Sequence, residues 1–185
     1  MAVGLFGGAF DPPHVGHVAV AAAAKKRFDL PQLVVLVAAA PAHKGVRLPA
    51  ETRLELARAA FPGDEVRLDP YPRTIELLRA ERFDDPLFVI GADQFCDFPS
   101  WQEPDAVLEL TRLAVATRPG FPQDRLDAVL AGLAHPERVV FFALEPNPAA
   151  STDVRALAEA GLPLAGLVPP AVAVLIESRG LYRAE

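Results

Sequence analysis

Near the start of the chain, Gly7-Gly8-Ala9-Phe10-Asp11-Pro12-Pro13-His14-Val15-Gly16-His17 gathers residue types suited to holding a phosphate. Glycines without side chains let backbone approach an anion closely, and the amides that open a following helix point toward negative charge. Phe10-Asp11-Pro12-Pro13 reads as a rigid turn that delivers His14 and His17 to the helix entrance. Imidazoles placed there can donate hydrogen bonds to phosphate oxygens. The i,i+3 spacing also suits two metal ligands on one side of a helical turn. Two ligands are too few, however, and no nearby Cys or third His completes a site. Helix capping and packing is the plainer alternative for the same pair; phosphate binding is the reading carried forward.

Such a motif needs a strand before it and a helix after it. Short apolar runs predict strands near Val3–Phe6, Leu33–Val37, Glu65–Leu68, Leu87–Ile90, Leu113–Ala116 and Arg138–Phe142. Segments of helical period lie between them: His17–Phe28, Ala50–Ala60, Thr74–Glu81, Glu103–Leu110, Arg125–Ala131, Thr152–Ala160 and Pro170–Ser178. Pro49, Pro104, Pro122 and Pro170 fall where a helix can start without losing a hydrogen bond. The alternation predicts an α/β fold: one doubly wound, Rossmann-like domain over residues 1–185, with a mostly parallel sheet flanked by helices. No linker, repeat or low-complexity stretch argues for a second domain. In such sheets ligands bind beyond the carboxyl ends of the strands, where the strand order reverses. If the first and fourth strands are neighbours at that reversal, the histidine motif and Gly91-Ala92-Asp93 face one crevice.

Composition narrows the partners. A net charge of −6 argues against a broad nucleic-acid surface, which needs clustered Lys and Arg. Small nucleotides need only a few local cations and amides. Cys96 is the sole cysteine, so no internal disulfide forms and a reducing cytoplasm fits best. No signal core opens the sequence, and no apolar run reaches the ~20 residues of a membrane span. We therefore expect a cytoplasmic protein with neither nucleic-acid nor membrane partners. Alternating α/β segments leave a homo-oligomer open.

The eleven-residue motif resembles the signature of the nucleotidyltransferase superfamily that carries H-x-G-H. Four further segments resemble the bacterial nicotinate-mononucleotide adenylyltransferase family: Pro41-Ala42-His43-Lys44, Gly91-Ala92-Asp93, Arg118-Pro119-Gly120, and Ile176-Glu177-Ser178-Arg179-Gly180-Leu181-Tyr182. Ser151-Thr152-Asp153-Val154-Arg155 is similar to that family's S-S-T-x-I-R segment, with Ala150 standing where the pattern has its first serine. Phosphopantetheine-specific relatives usually carry Thr where this chain has His14. A tRNA synthetase would need more chain and a K-M-S-K-S loop.

The resemblance implies transfer of AMP from ATP to nicotinate mononucleotide, giving deamido-NAD and pyrophosphate in NAD biosynthesis. It assigns catalytic roles to His14, His17, Lys44 and Arg155. ATP would be bound by Gly7, Gly8, Phe10, His14, His17, Arg118, Ser151, Thr152 and Arg155. The acceptor would be bound by Lys44, Thr74, Asp93 and Trp101, with Asp93 on a ribose and Trp101 stacked on the pyridine ring. Mg²⁺ would arrive with ATP, held by phosphates and water, so no metal ligands are named. Another acceptor (nicotinamide mononucleotide or phosphopantetheine) stays open, as does a nucleotide-binding sensor without catalysis.

Overall fold

The computed structural model describes residues 2–41, 45–145, 147 and 149–183. Among these residues the apolar runs form six parallel strands: β1 (Val3–Gly8), β2 (Leu33–Ala38), β3 (Glu65–Asp69), β4 (Pro86–Gly91), β5 (Arg112–Thr117) and β6 (Val139–Ala143). The helices are α1 (Val15–Phe28), α2 (Ala50–Ala60), α3 (Thr74–Ala80), α4 (Ala92–Asp97), α5 (Pro104–Leu110), α6 (Gln123–Ala131), α7 (Ser151–Glu159) and α8 (Pro170–Ser178).

The sheet order is β3-β2-β1-β4-β5-β6. The chain starts in the middle, winds outward through β2 and β3, then returns to pair β4 with β1, Gly4 opposite Leu87 and Phe6 opposite Val89. β1 and β4 are thus the neighbours at the reversal, which meets the condition for the histidine motif and Gly91-Ala92-Asp93 to face one crevice past their carboxyl ends.

Strand periodicity divides the core into two layers. Phe6, Leu33, Val35, Val37, Leu87, Val89, Ala114 and Ala116 face one side, where Ala21 and Ala24 of α1, Leu56 of α2, Val154 of α7 and Ile176 of α8 cover them. Leu5, Val34, Leu36, Phe88, Ile90, Leu113 and Val115 face the other, beneath Ile75 of α3, Phe95 of α4, Val107 of α5 and Leu126 of α6. Strands buried on both faces read as unbroken apolar runs, which is why Leu33-Val34-Val35-Leu36-Val37 carries no polar residue. Half-buried Cys96 packs against the second layer as a free thiol. No helix among the described residues is long and apolar enough to cross a membrane.

Four local expectations need correction. β1 runs on to Gly8, so Gly7 and Gly8 belong to the strand and pair with Leu36 and Val37 of β2. α1 begins at Val15, with His14 as its cap, because the H-x-G-H segment supplies its own capping groups. α4 was not foreseen: six residues are too few to display helical period. Arg138 lies in a 3₁₀ turn, Pro136–Arg138, ahead of β6.

Candidate active site

His14 and His17 cap the same helix reciprocally. The backbone N–H of Gly16 donates to Nδ1 of His14 at 3.1 Å, while the N–H of His14 donates to Nδ1 of His17 at 3.2 Å. This is a capping box with imidazoles replacing the usual hydroxyl and carboxylate. A ring nitrogen that accepts an N–H carries no proton of its own, so in each neutral ring the proton sits on Nε2. Both residues thereby become donors at Nε2, with ring centroids 3.8 Å apart. Burial lowers the pKa of His14 to about 4, which keeps this ring neutral through the physiological range.

The glycine inside H-x-G-H has a steric reason. A Cβ at Gly16 would stand 2.9 Å from the His14 ring, too close for any side chain to be added without displacing that imidazole. The paired glycines are also tightly placed: a Cβ on Gly8 would lie 2.9 Å from the Phe10 ring, and one on Gly7 would lie 3.1 Å from Phe88. Phe10 itself is only 2% exposed and holds φ at 49°, a left-handed conformation unfavourable for an aromatic residue. Edge contacts to Phe6, Phe61 and His17 hold it there. Phe10 thus backs the His17 ring from the protein interior.

The helix starts around the motif contribute dipoles, and α7 contributes a cation, Arg155. α1 has no acidic residue in its first turn, and its first amides are bonded within the protein, Val15 N–H to the Leu167 carbonyl and Gly16 N–H to His14, so the helix offers the motif its dipole and the histidine rings. α7 starts beside it, with the Ala149 carbonyl near Gly16. The N-cap of α7 is Ala150, which makes no side-chain cap, as expected where a serine has been replaced. Ser151 Oγ donates to the Pro12 carbonyl at 2.9 Å, and Arg155 Nη1 donates to the Asp11 carbonyl at 2.7 Å. Arg155 Nη2 also reaches Thr152 Oγ1 at 3.3 Å. Residues read as phosphate ligands therefore also grip the turn that presents the histidines.

The remaining candidates lie past the carboxyl ends of other strands. Thr74 opens α3 after β3; Asp93 is exposed in the first turn of α4 after β4; Arg118 is exposed after β5. Trp101 is half-buried, edge-on to Phe98 at 5.2 Å and to Phe88 at 6.3 Å. Since the Phe88 ring also touches the space over Gly7, Trp101 is connected to the crevice on the face opposite α1. Lys44 lies outside the described residues. The arrangement can hold a polyphosphate at two helix starts, with an exposed carboxylate and a half-buried indole across the crevice.

A cytidylyltransferase-like family model matches residues 5–157. The chain is 35% identical over 201 residues to a protein of Rubrobacter xylanophilus named probable nicotinate-nucleotide adenylyltransferase, covering 100% of this chain and 94% of the relative. A protein of the same name from Thermus thermophilus is 35% identical over 195 residues, covering 99% and 100%. The chain belongs to the cytidylyltransferase-like family, and within it to the nicotinate-nucleotide adenylyltransferases. Among solved structures, the Plasmodium falciparum nicotinic acid mononucleotide adenylyltransferase complexed with APC superposes with a TM-score of 0.75 at 16% identity, covering 98% of this chain and 96% of that one. The same enzyme complexed with NaAD gives 0.76 at 15%, covering 98% and 97%. These two likenesses are of fold.

Three residues of this adenylyltransferase-family chain were given no site role in the sequence reading. Asp11, 4% exposed, accepts from the Arg47 N–H at 2.6 Å and from the Tyr182 hydroxyl at 2.8 Å. Burial and the adjacent carboxylate raise the Tyr182 pKa, keeping the phenol protonated as a donor. Arg53, 1% exposed, donates to the carbonyls of Ala9, Ala38, Ala39 and Leu48 at 2.7 to 3.1 Å. Its guanidinium thereby ties the end of β1 to the end of β2 and to the segment that follows. Nothing in its helix set Arg53 apart from Arg58, and Tyr182 stood in a segment that carried only a family resemblance.

Proposed function

We propose that this chain transfers AMP from ATP to nicotinate mononucleotide, forming deamido-NAD and releasing pyrophosphate. The reciprocal histidine cap at the end of β1 is the observation that carries this reading. It sets two neutral Nε2–H donors beside two helix N-termini, the arrangement needed to stabilise charge growing on phosphate oxygens in flight. The names of the relatives supply the acceptor.

An oxygen of the acceptor's 5′-phosphate attacks the α-phosphorus of ATP; the bond to the bridging oxygen of the leaving pyrophosphate breaks on the opposite side. The attacking oxygen is already ionised, so no general base is required, and catalysis rests on alignment and charge stabilisation. His14 and His17 donate to the reacting phosphate, with Phe10 holding His17 in place, Gly8 leaving room for the Phe10 ring and Gly7 for that of Phe88, and both glycines letting ATP approach the backbone. Ser151, Thr152 and Arg155 hold the triphosphate against the start of α7, and Arg118 adds a contact from β5. Lys44 bridges the phosphates of the two substrates. Asp93 accepts from a ribose hydroxyl; Trp101 stacks on the pyridine ring, with Thr74 beside the same nucleotide.

Among the described residues no three His, Cys, Asp or Glu side chains gather where they could hold a metal ion. Mg²⁺ would be carried in by ATP on phosphate oxygens and water, where it would neutralise charge on the departing pyrophosphate.

The test is pyrophosphate release from ATP and Mg²⁺ by purified protein with nicotinate mononucleotide, nicotinamide mononucleotide or phosphopantetheine in parallel. Release driven most strongly by the nicotinate form supports the proposal. Preference for another acceptor keeps the chemistry and replaces the substrate. ATP binding without release under any acceptor identifies a sensor.

A further inference from the structure

Asp11 and Pro12 stand two or three residues ahead of His14, and four hydrogen bonds from three distant segments converge on them. The loop before α2 contributes the Arg47 N–H to one carboxylate oxygen of Asp11. The turn after α8 contributes the Tyr182 hydroxyl to the other. α7 contributes Arg155 to the Asp11 carbonyl and Ser151 to that of Pro12. Tyr182 is 7% exposed and is itself held by a turn in which Gly180 takes φ 61°, Tyr182 takes φ 69°, and the Leu181 N–H donates to the Ile176 carbonyl at 2.9 Å. α8 in turn packs on α2, the helix that carries Arg53.

We propose that Tyr182 is a positioning residue for the reaction: its hydroxyl fixes the Asp11 carboxylate, and Asp11 fixes the turn that sets His14 and His17 against the reacting phosphate. The inference rests on the adenylyl-transfer reading of this site. A buried carboxylate relieved of one of its two side-chain bonds has to shift toward other donors, and the chain between Asp11 and His14 is only two prolines long. A displacement of ~1 Å at a reacting group lowers the rate by up to ~10²-fold, so a fraction of that shift lowers it by ~10-fold.

The experiment compares the full-length wild type with Tyr182→Phe, which removes one oxygen and keeps the ring. Below the melting temperature of both proteins, kcat is expected to fall ~10-fold while KM for ATP and for the acceptor stays within about twofold. Histidine-labelled protein is expected to show ring nitrogen shifts moving at His14 and His17 and constant at exposed His135. In an Asp11→Ala background the same tyrosine change is expected to alter kcat by less than about twofold, because the group through which it acts is gone. Wild-type kcat in Tyr182→Phe, unmoved His14 and His17 signals, or a further tenfold loss in the Asp11→Ala background overturns the inference while leaving adenylyl transfer standing. A wild type that releases no pyrophosphate overturns both.

Discussion

Substituting His17 separates two roles that one imidazole plays. Its Nδ1 accepts the N–H of His14 at 3.2 Å and so completes the cap of α1, while its Nε2–H is the donor assigned to the phosphate. His17→Ala removes both. Losing a side-chain cap lowers stability by ~1 kcal/mol, which in a chain of this length lowers Tm by ~2 to 4 °C. Losing a donor to charge that develops in the transition state lowers kcat by ~10²- to 10³-fold, or ~3 to 4 kcal/mol of barrier. His17→Asn places an amide oxygen near the position of Nδ1, so it is expected to recover most of the lost Tm but little of the lost kcat. Steady-state pyrophosphate release gives kcat and KM, calorimetry gives ATP affinity, and a thermal melt gives Tm. Two results would refute the reasoning. Recovery of kcat in His17→Asn would make the residue a cap alone; an equal fall in ATP affinity and turnover would mean it binds ground and transition states alike.

Three other changes test separate parts of the site. His14, whose pKa burial lowers to about 4, binds its proton in the unfolded chain first, near the ordinary histidine value of 6.5. Its contribution to stability is therefore complete above that value and is lost as pH falls toward about 4, with a slope below ~1.4 kcal/mol per pH unit because solvent reaches part of the ring. Urea midpoints across this window should show the slope, and His14→Gln should flatten it. Trp101→Ala is expected to raise KM for the pyridine nucleotide ~10-fold with KM for ATP little changed, whereas unchanged acceptor kinetics would make the indole a packing group for Phe88 and Phe98. Arg53→Met strands three carbonyls at the ends of β1 and β2 and that of Leu48 before α2, and is expected to cost ~3 to 5 kcal/mol, a Tm loss of ~6 to 20 °C; a melt within 3 °C of wild type, on the order of 1 kcal/mol, would refute it.

Features that depend on local pattern were legible before the structure. The unbroken apolar run at Leu33–Val37 meant a strand buried on both faces, and it occupies the sheet interior between β1 and β3. Pro104 and Pro170 open α5 and α8 at their first positions, where a missing N–H does no harm. Every candidate site residue that the structure describes lies in β1 or after the carboxyl end of its strand, because a parallel sheet sends each chemistry-bearing loop to the same edge. Residues 92–97 were missed as a helix because six positions carry barely two turns of pattern, so Asp93 was placed only as following the fourth strand, and the structure puts it in the first turn of α4.

What stayed hidden is long-range pairing. Asp11 and Tyr182 meet across 171 residues, and each alone has an ordinary local explanation, one in a proline turn and the other near the end of the chain. Arg53 reaches Ala9 across 44 residues, and in its helix, which also carries Glu51, Glu55 and Arg58, it reads as one more charged position. The histidines are different: their spacing was legible, but the reciprocal cap that fixes both protons on Nε2 follows from backbone geometry at His14 and Gly16. Motif residues that touch substrate are selected by local spacing, whereas the groups that hold them still are supplied from wherever the fold delivers a donor. Substitutions at Tyr182 and Arg53 should accordingly lower turnover or stability without moving substrate affinity, and substitutions at Trp101 should do the reverse.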